Sequence, residues 1–168
     1  MTVRDIRLFG DPVLRTVAEP AGEPDERLEA LVQDLLDTVR VPGRAGVAAN
    51  QIGVATRAFA YNVDGQVGYL LDPELAEVRG EPTLFDEGCL SVPDLSFPIR
   101  RHPWARSTGR LLDGSTAEVV GEGVLAEALQ HEQDHLDGRV YLQRLEPEVR
   151  REAMAAVRRS PWFLSRTP

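Results

Sequence analysis

There is no lysine in this sequence; its nineteen basic residues are all arginine. Schiff-base chemistry and serine–lysine dyads are therefore excluded, since both need an amine that can give up its proton. Cysteine is almost as scarce. A single residue, Cys89, allows no intramolecular disulfide and fits a reducing compartment. No apolar run reaches the length of a membrane span, and residues 1–14 hold none of signal-peptide length, so a cytoplasmic protein with no membrane partner is expected. Positive charge is also short. Nineteen basic residues against 27 acidic ones leave a net charge of −8, a poor balance for wrapping nucleic acid, and no specific nucleic-acid recognition is expected.

What is present suits one soluble domain over residues 1–168, with 42% hydrophobic and 27% charged residues. The clearest helix lies over 25–40, where Leu28, Leu31, Val32, Leu35, Leu36 and Val39 form one apolar stripe that Pro42-Gly43 ends. Strands are expected at 54–61 and 66–71, joined by a turn at Asp64-Gly65. More are expected near 76–85 and 104–120, the latter broken at Asp113-Gly114. A second helix should run from Val124 to Asp137 and stop at Gly138. A third starts at Pro147 and ends before Pro161, about 147–159. Helices around several short strands give an α+β class.

The second helix carries His131-Glu132-Gln133-Asp134-His135. Residues four apart share a helical face one turn apart, so both imidazoles can reach one ion. Glu132, beside them, is placed to take a proton from water activated there. Two of the protein's three histidines fall in these five residues. Two histidines leave a catalytic ion short of a third protein ligand. Tyr141 stands where the metzincin spacing puts a third histidine. Glu146, Glu148 and Glu152 are carboxylate candidates, and a zinc peptidase built on one of them is an alternative reading. So is a binding protein of the same fold that has lost activity, though such a protein has no use for Glu132.

The other candidate ligand is Cys89, in Glu87-Gly88-Cys89-Leu90-Ser91. A lone cysteine is most often a small core residue. Here Gly88 permits an unusual backbone beside it, Ser91-Val92-Pro93 returns the chain to extended form, and a thiolate binds transition metals well. A third segment, Gly46-Val47-Ala48-Ala49-Asn50-Gln51, offers small residues for close approach and the Gln51 amide as a donor to a developing oxyanion. Tight helix–strand packing explains that segment equally well.

Together, in this order and spacing, these three segments resemble the motifs of the peptide deformylases. The likeness extends from Asp11-Pro12-Val13-Leu14-Arg15 to His135-Leu136-Asp137-Gly138. It implies an α+β fold of short, mostly antiparallel sheets packed around a central helix that bears the two histidines. It implies hydrolysis of the N-formyl group from the formylmethionine of nascent bacterial proteins, with release of formate. Cys89, His131 and His135 would hold one divalent ion, typically ferrous iron, with zinc, nickel or cobalt able to replace it. Glu132 would be the general base and acid. Gln51 and the Leu90 backbone N–H would meet the oxyanion, and Gly46, Glu87 and Gly88 would bind substrate.

Two positions depart from the family pattern. Arg44 stands where the first motif usually has a further glycine. Glu127, one turn before His131, stands where an apolar residue usually lines the methionine pocket. Its carboxylate is expected to swing to solvent at the pocket rim rather than make the pocket polar. Asp134 and Arg101 are either an ion pair behind the ligands or separate surface charges. The C-terminal helix gathers Arg150, Arg151, Arg158, Arg159 and Arg166 against Glu148 and Glu152. Val149, Ala153, Ala156 and Val157 give it a docking face; the arginines are either a transient ribosome contact, beside nascent chains as partners, or a solvated basic face.

Overall fold

The structure, a computed structural model, describes residues 2–165. The apolar stripe folds as α1, Glu26–Val39, whose start is capped by the Asp25 carboxylate accepting from Leu28 N–H at 2.8 Å. Next come β1 (Gly46–Ala48), a 3-10 turn over Ala49–Ile52, β2 (Ala58–Val63) and β3 (Gln66–Arg79). Strands β4 (Thr83–Cys89) and β5 (Val92–Arg101) form a separate antiparallel pair. Strands β6 (Trp104–Arg110) and β7 (Thr116–Glu122) complete a five-stranded antiparallel sheet in the order β1-β2-β3-β6-β7. Three helices follow: α2 (Gly123–Leu136), α3 (Pro147–Arg159) and the short α4 (Pro161–Leu164).

Alternation along the strands sets the layers. In β2, Phe59, Tyr61 and Val63 pack with Leu125, Ala126, Leu129 and Leu136 of α2, whereas Ala58 and Ala60 pack with α1. Leu70 and Leu71 of β3 divide between the same two clusters. The sheet is therefore sandwiched between the two helices. On its other sides α2 meets the β4–β5 ribbon, so that it is buried nearly all round and its polar residues lie inside the molecule. Gly138, at φ 72°, turns the chain after α2; a Cβ there would meet the Arg15 carbonyl oxygen at 2.8 Å.

Two expectations need correction. The strand ending at 71 runs on into the first part of the one expected at 76–85, both within β3, because Asp72-Pro73 forms a bulge rather than a turn; the rest of that expected strand lies in β4, after a break at Gly80-Glu81-Pro82. Asp72 is left-handed at φ 47°, and Arg110 grips its carboxylate at 2.6 Å. Beyond the extended start expected at Ser91-Val92-Pro93, strand β5 was not among the expected strands, because Pro93 and Pro98 argue against a central strand. A two-stranded ribbon has only edges, where proline is tolerated. The third helix ends before Pro161 as expected; Ser160 is extended, and a separate short helix, α4, starts at Pro161. There Trp162 donates to the Pro93 carbonyl at 3.1 Å, tying α4 to the start of β5.

Candidate active site

Cysteine 89 ends β4 where the pairing with β5 slips by a bulge, and the next two residues, Leu90 and Ser91, make the turn into Val92. That turn aims the thiol at the buried face of α2. His135 Nε2 lies 3.3 Å from Cys89 Sγ and 3.1 Å from His131 Nε2. The three donor atoms lie within 4.8 Å of one another, the only such group among the described residues. Glu146, Glu148 and Glu152 are exposed and stand outside it.

The donor set fits a divalent ion. Burial lowers the proton affinity of both imidazoles; the Cys89 and Glu87 charges more than reverse this at His131, while the positive charge of His131 depresses His135 further. Two protons on facing Nε2 atoms are thus disfavoured, and one cation shared by two neutral imidazoles and a thiolate removes the conflict.

Behind His131 stands an ionic chain. Its Nδ1 lies 2.6 Å from Glu87 Oε1, and Arg101 binds both Glu87 oxygens, at 2.7 and 2.8 Å. Arg101 also reaches Asp134 at 2.8 Å, and Arg144 closes on Asp134 from the solvent side. All of it but Arg144 is buried. Burial alone would raise the Glu87 carboxyl; the hydrogen bonds from Arg101 and His131 outweigh it and hold it down at about 2. Arg101 and Asp134 are therefore a buried pair, not separate surface charges. Arg144 was missed because it lies ten residues from Asp134 across a 3-10 turn, where no periodicity points.

A cleft of about 630 Å³ opens above these three side chains, Cys89, His131 and His135. Gly46, Gln51, Gly88, Cys89, Leu90, His131 and Glu132 all line it. Glu87 does not. The expected substrate contact is corrected to a place beneath the cleft floor, 1% exposed, with both oxygens engaged by Arg101 and His131. Gln51 is held by Ala48 N–H bonding to its Oε1 at 2.9 Å, which leaves Nε2 toward Ser91 Oγ and Cys89 Sγ. Glu132 is buried, and its Oε2 has no hydrogen-bond partner. Burial pushes its carboxyl up to about 7, suited to accepting and returning a proton near neutrality. Gly46 makes room for it: a Cβ there would come within 2.3 Å of Glu132 Oε1.

Sequence reasoning gave no role in the cleft to Ala45, Val124, Ala128 and Leu95, which also line it and carry no chemical signature. Glu127 is half-buried in the wall rather than out in solvent.

A family model for polypeptide deformylase matches residues 3–151. A peptide deformylase from Acidothermus cellulolyticus is 48% identical over 162 residues, 96% of this chain and 89% of that protein. Peptide deformylase 1 from Corynebacterium efficiens is 42% identical over 97% of this chain and 99% of its own length. The crystal structure of a peptide deformylase from Legionella pneumophila superposes with a TM-score of 0.88 at 33% identity, covering 99% of this chain and all of that one. With a cysteine and two histidines converging under an open cleft, and with matches that run nearly end to end, the chain belongs to the polypeptide deformylase family.

Proposed function

We propose that Glu132, Gln51 and the Leu90 backbone carry out deformylation over one divalent ion held by Cys89, His131 and His135. The reaction removes the N-formyl group from the formylmethionine end of newly made proteins and releases formate. The observation that carries the assignment of roles is a buried carboxylate, Glu132, with one oxygen left without a hydrogen-bond partner, beside three clustered ligand atoms under an open cleft.

When bound, the ion supplies a Lewis acid that polarises the formyl oxygen and acidifies water. Glu132 takes the proton of the attacking water as the new C–O bond forms. It returns that proton to the amine nitrogen as the C–N bond breaks, leaving formate and a free N-terminus. The negative charge on the former carbonyl oxygen falls to Gln51 Nε2 and the Leu90 N–H. The backbone at Gly46 and Gly88, with no side chain to intervene, borders the peptide. Glu87 fixes the His131 ring by accepting from Nδ1. The ion we assign is ferrous iron, in a cytoplasmic protein whose single domain spans residues 1–168.

Anaerobic assay of formyl-Met-Ala with metal analysis tests this. Stoichiometric formate release by metal-replete protein is expected, and Cys89→Ser should lose both bound metal and activity. A peptidase would instead cut an internal bond, a binding protein would yield nothing, and a Cys89→Ser variant with full metal and turnover would remove Cys89 from the ligand set.

We also propose that α3 makes a transient contact with the ribosome. Ala153 and Val157 face the core, leaving Arg150, Arg151, Arg158 and Arg159 exposed, the first three of them lining a groove with Met154; Arg166 lies outside the described residues. Changing those four arginines to glutamine should abolish co-sedimentation with ribosomes at low salt and leave formyl-Met-Ala turnover intact. Equal binding by both proteins would end the idea.

A further inference from the structure

Glu127 is anomalous in its setting. It lies one turn before His131 on α2, a spacing that brings the two Cβ atoms to about 5–6 Å. With Val124 and Ala128 it forms the helix side of the cleft, and Leu90 and Leu95 are also in the lining. Its carboxylate makes no hydrogen bond or ion pair with any described residue. Arg44 shares the lining, but it donates Nη1 to the Thr38 carbonyl at 2.9 Å and forms no ion pair with Glu127. Burial, joined by the nearby negative charges of Glu87 and Asp86, pushes the Glu127 carboxyl up to about 7 against the opposing pull of His131 and Arg101. The wall thus presents an acceptor that no described residue satisfies.

Substrate geometry brings that acceptor into play. Two bonds separate the formyl carbon from the first α-carbon, so when the formyl group sits by Glu132, the first side chain leaves from a point close to His131. One turn up the same helical face stands Glu127. A thioether sulfur offers a carboxylate no hydrogen, whereas an amide or ammonium does. A site with an unpaired polar group favours the ligand that pairs with it.

We propose that Glu127 is a specificity-determining residue that opens the first-residue pocket to N-formyl peptides whose side chains end in a hydrogen-bond donor, narrowing the preference for methionine. The proposal rests on the deformylase reading. The test compares kcat/KM for formyl-Met-Ala and formyl-Gln-Ala in the metal-replete wild type and in Glu127→Leu. The Met-to-Gln ratio should rise about tenfold or more when the wall becomes apolar. Glu127→Gln keeps an acceptor and should stay within about threefold of the wild-type ratio. Glu127→Ala removes the acceptor without adding bulk and gives the same readout should the leucine variant fold poorly. A rise under about threefold in both Glu127→Leu and Glu127→Ala would overturn the proposal while leaving the deformylase assignment standing. Wild-type protein that released formate from neither peptide would overturn that assignment and the proposal with it.

Discussion

Glu132→Gln is expected to retain its metal and to lose about two or more orders of magnitude in both kcat and kcat/KM. The substitution keeps the shape of the side chain in the space that Gly46 leaves free, and it touches none of Cys89, His131 or His135. What it removes is the ability to take a proton and give it back. Because Oε2 is unpartnered, replacing it with an amide breaks no hydrogen bond made by the protein. Folding and metal content should therefore match the wild type. Metal analysis beside steady-state kinetics checks both halves, and near-normal turnover by a metal-replete variant would take the proton-transfer role away from Glu132.

Arg101→Leu should cost about 3–5 kcal/mol of stability. The side chain is 5% exposed and joins Glu87 to Asp134, so its loss leaves two buried carboxylates with most of their countercharge gone. Arg144 shields Asp134 only from the solvent side, at 45% exposure, and cannot replace it. The damage should also reach the metal, because Glu87 is the partner of His131 Nδ1; affinity is expected to fall roughly 10–100-fold. Arg144→Leu, whose side chain is nearly half in solvent, should cost about 1 kcal/mol or less. Urea denaturation of the metal-free proteins and a competitive chelator titration separate the two effects. Equal stabilities for the two arginine variants would show that the chain is not organised around Arg101.

Much of this molecule was legible in its sequence for a local reason. The three clustered ligands come from only two segments, and two of them are spaced by helix geometry, so periodicity alone put His131 and His135 on one face. Cys89 needed the neighbouring glycine and the resemblance of all three segments. What stayed hidden is what depends on distant contacts. Glu87 reads as part of a substrate-binding motif, but its position under the cleft floor is decided by Arg101, fourteen residues away on the partner strand. Strand β5 was hidden by prolines that a paired ribbon tolerates. Asp72-Pro73 carries turn chemistry that the sheet uses for a bulge. Glu127 looked like a residue bound for water because long charged side chains usually are, and only the packing of α2 against the cleft keeps it half-buried.

The tie between Trp162 and the Pro93 carbonyl has an optical consequence. Pro93 belongs to the cleft lining, and its neighbour Asp94 holds a left-handed backbone at φ 62°, so the indole senses the lip through its ring N–H. The protein's other tryptophan, Trp104, lies under the Arg79 guanidinium at 4.2 Å and does not line the cleft. With Trp104 replaced by phenylalanine, the emission that remains belongs to a single chromophore hydrogen-bonded to the edge of the cleft. A peptide that shifts that edge changes the colour of the light.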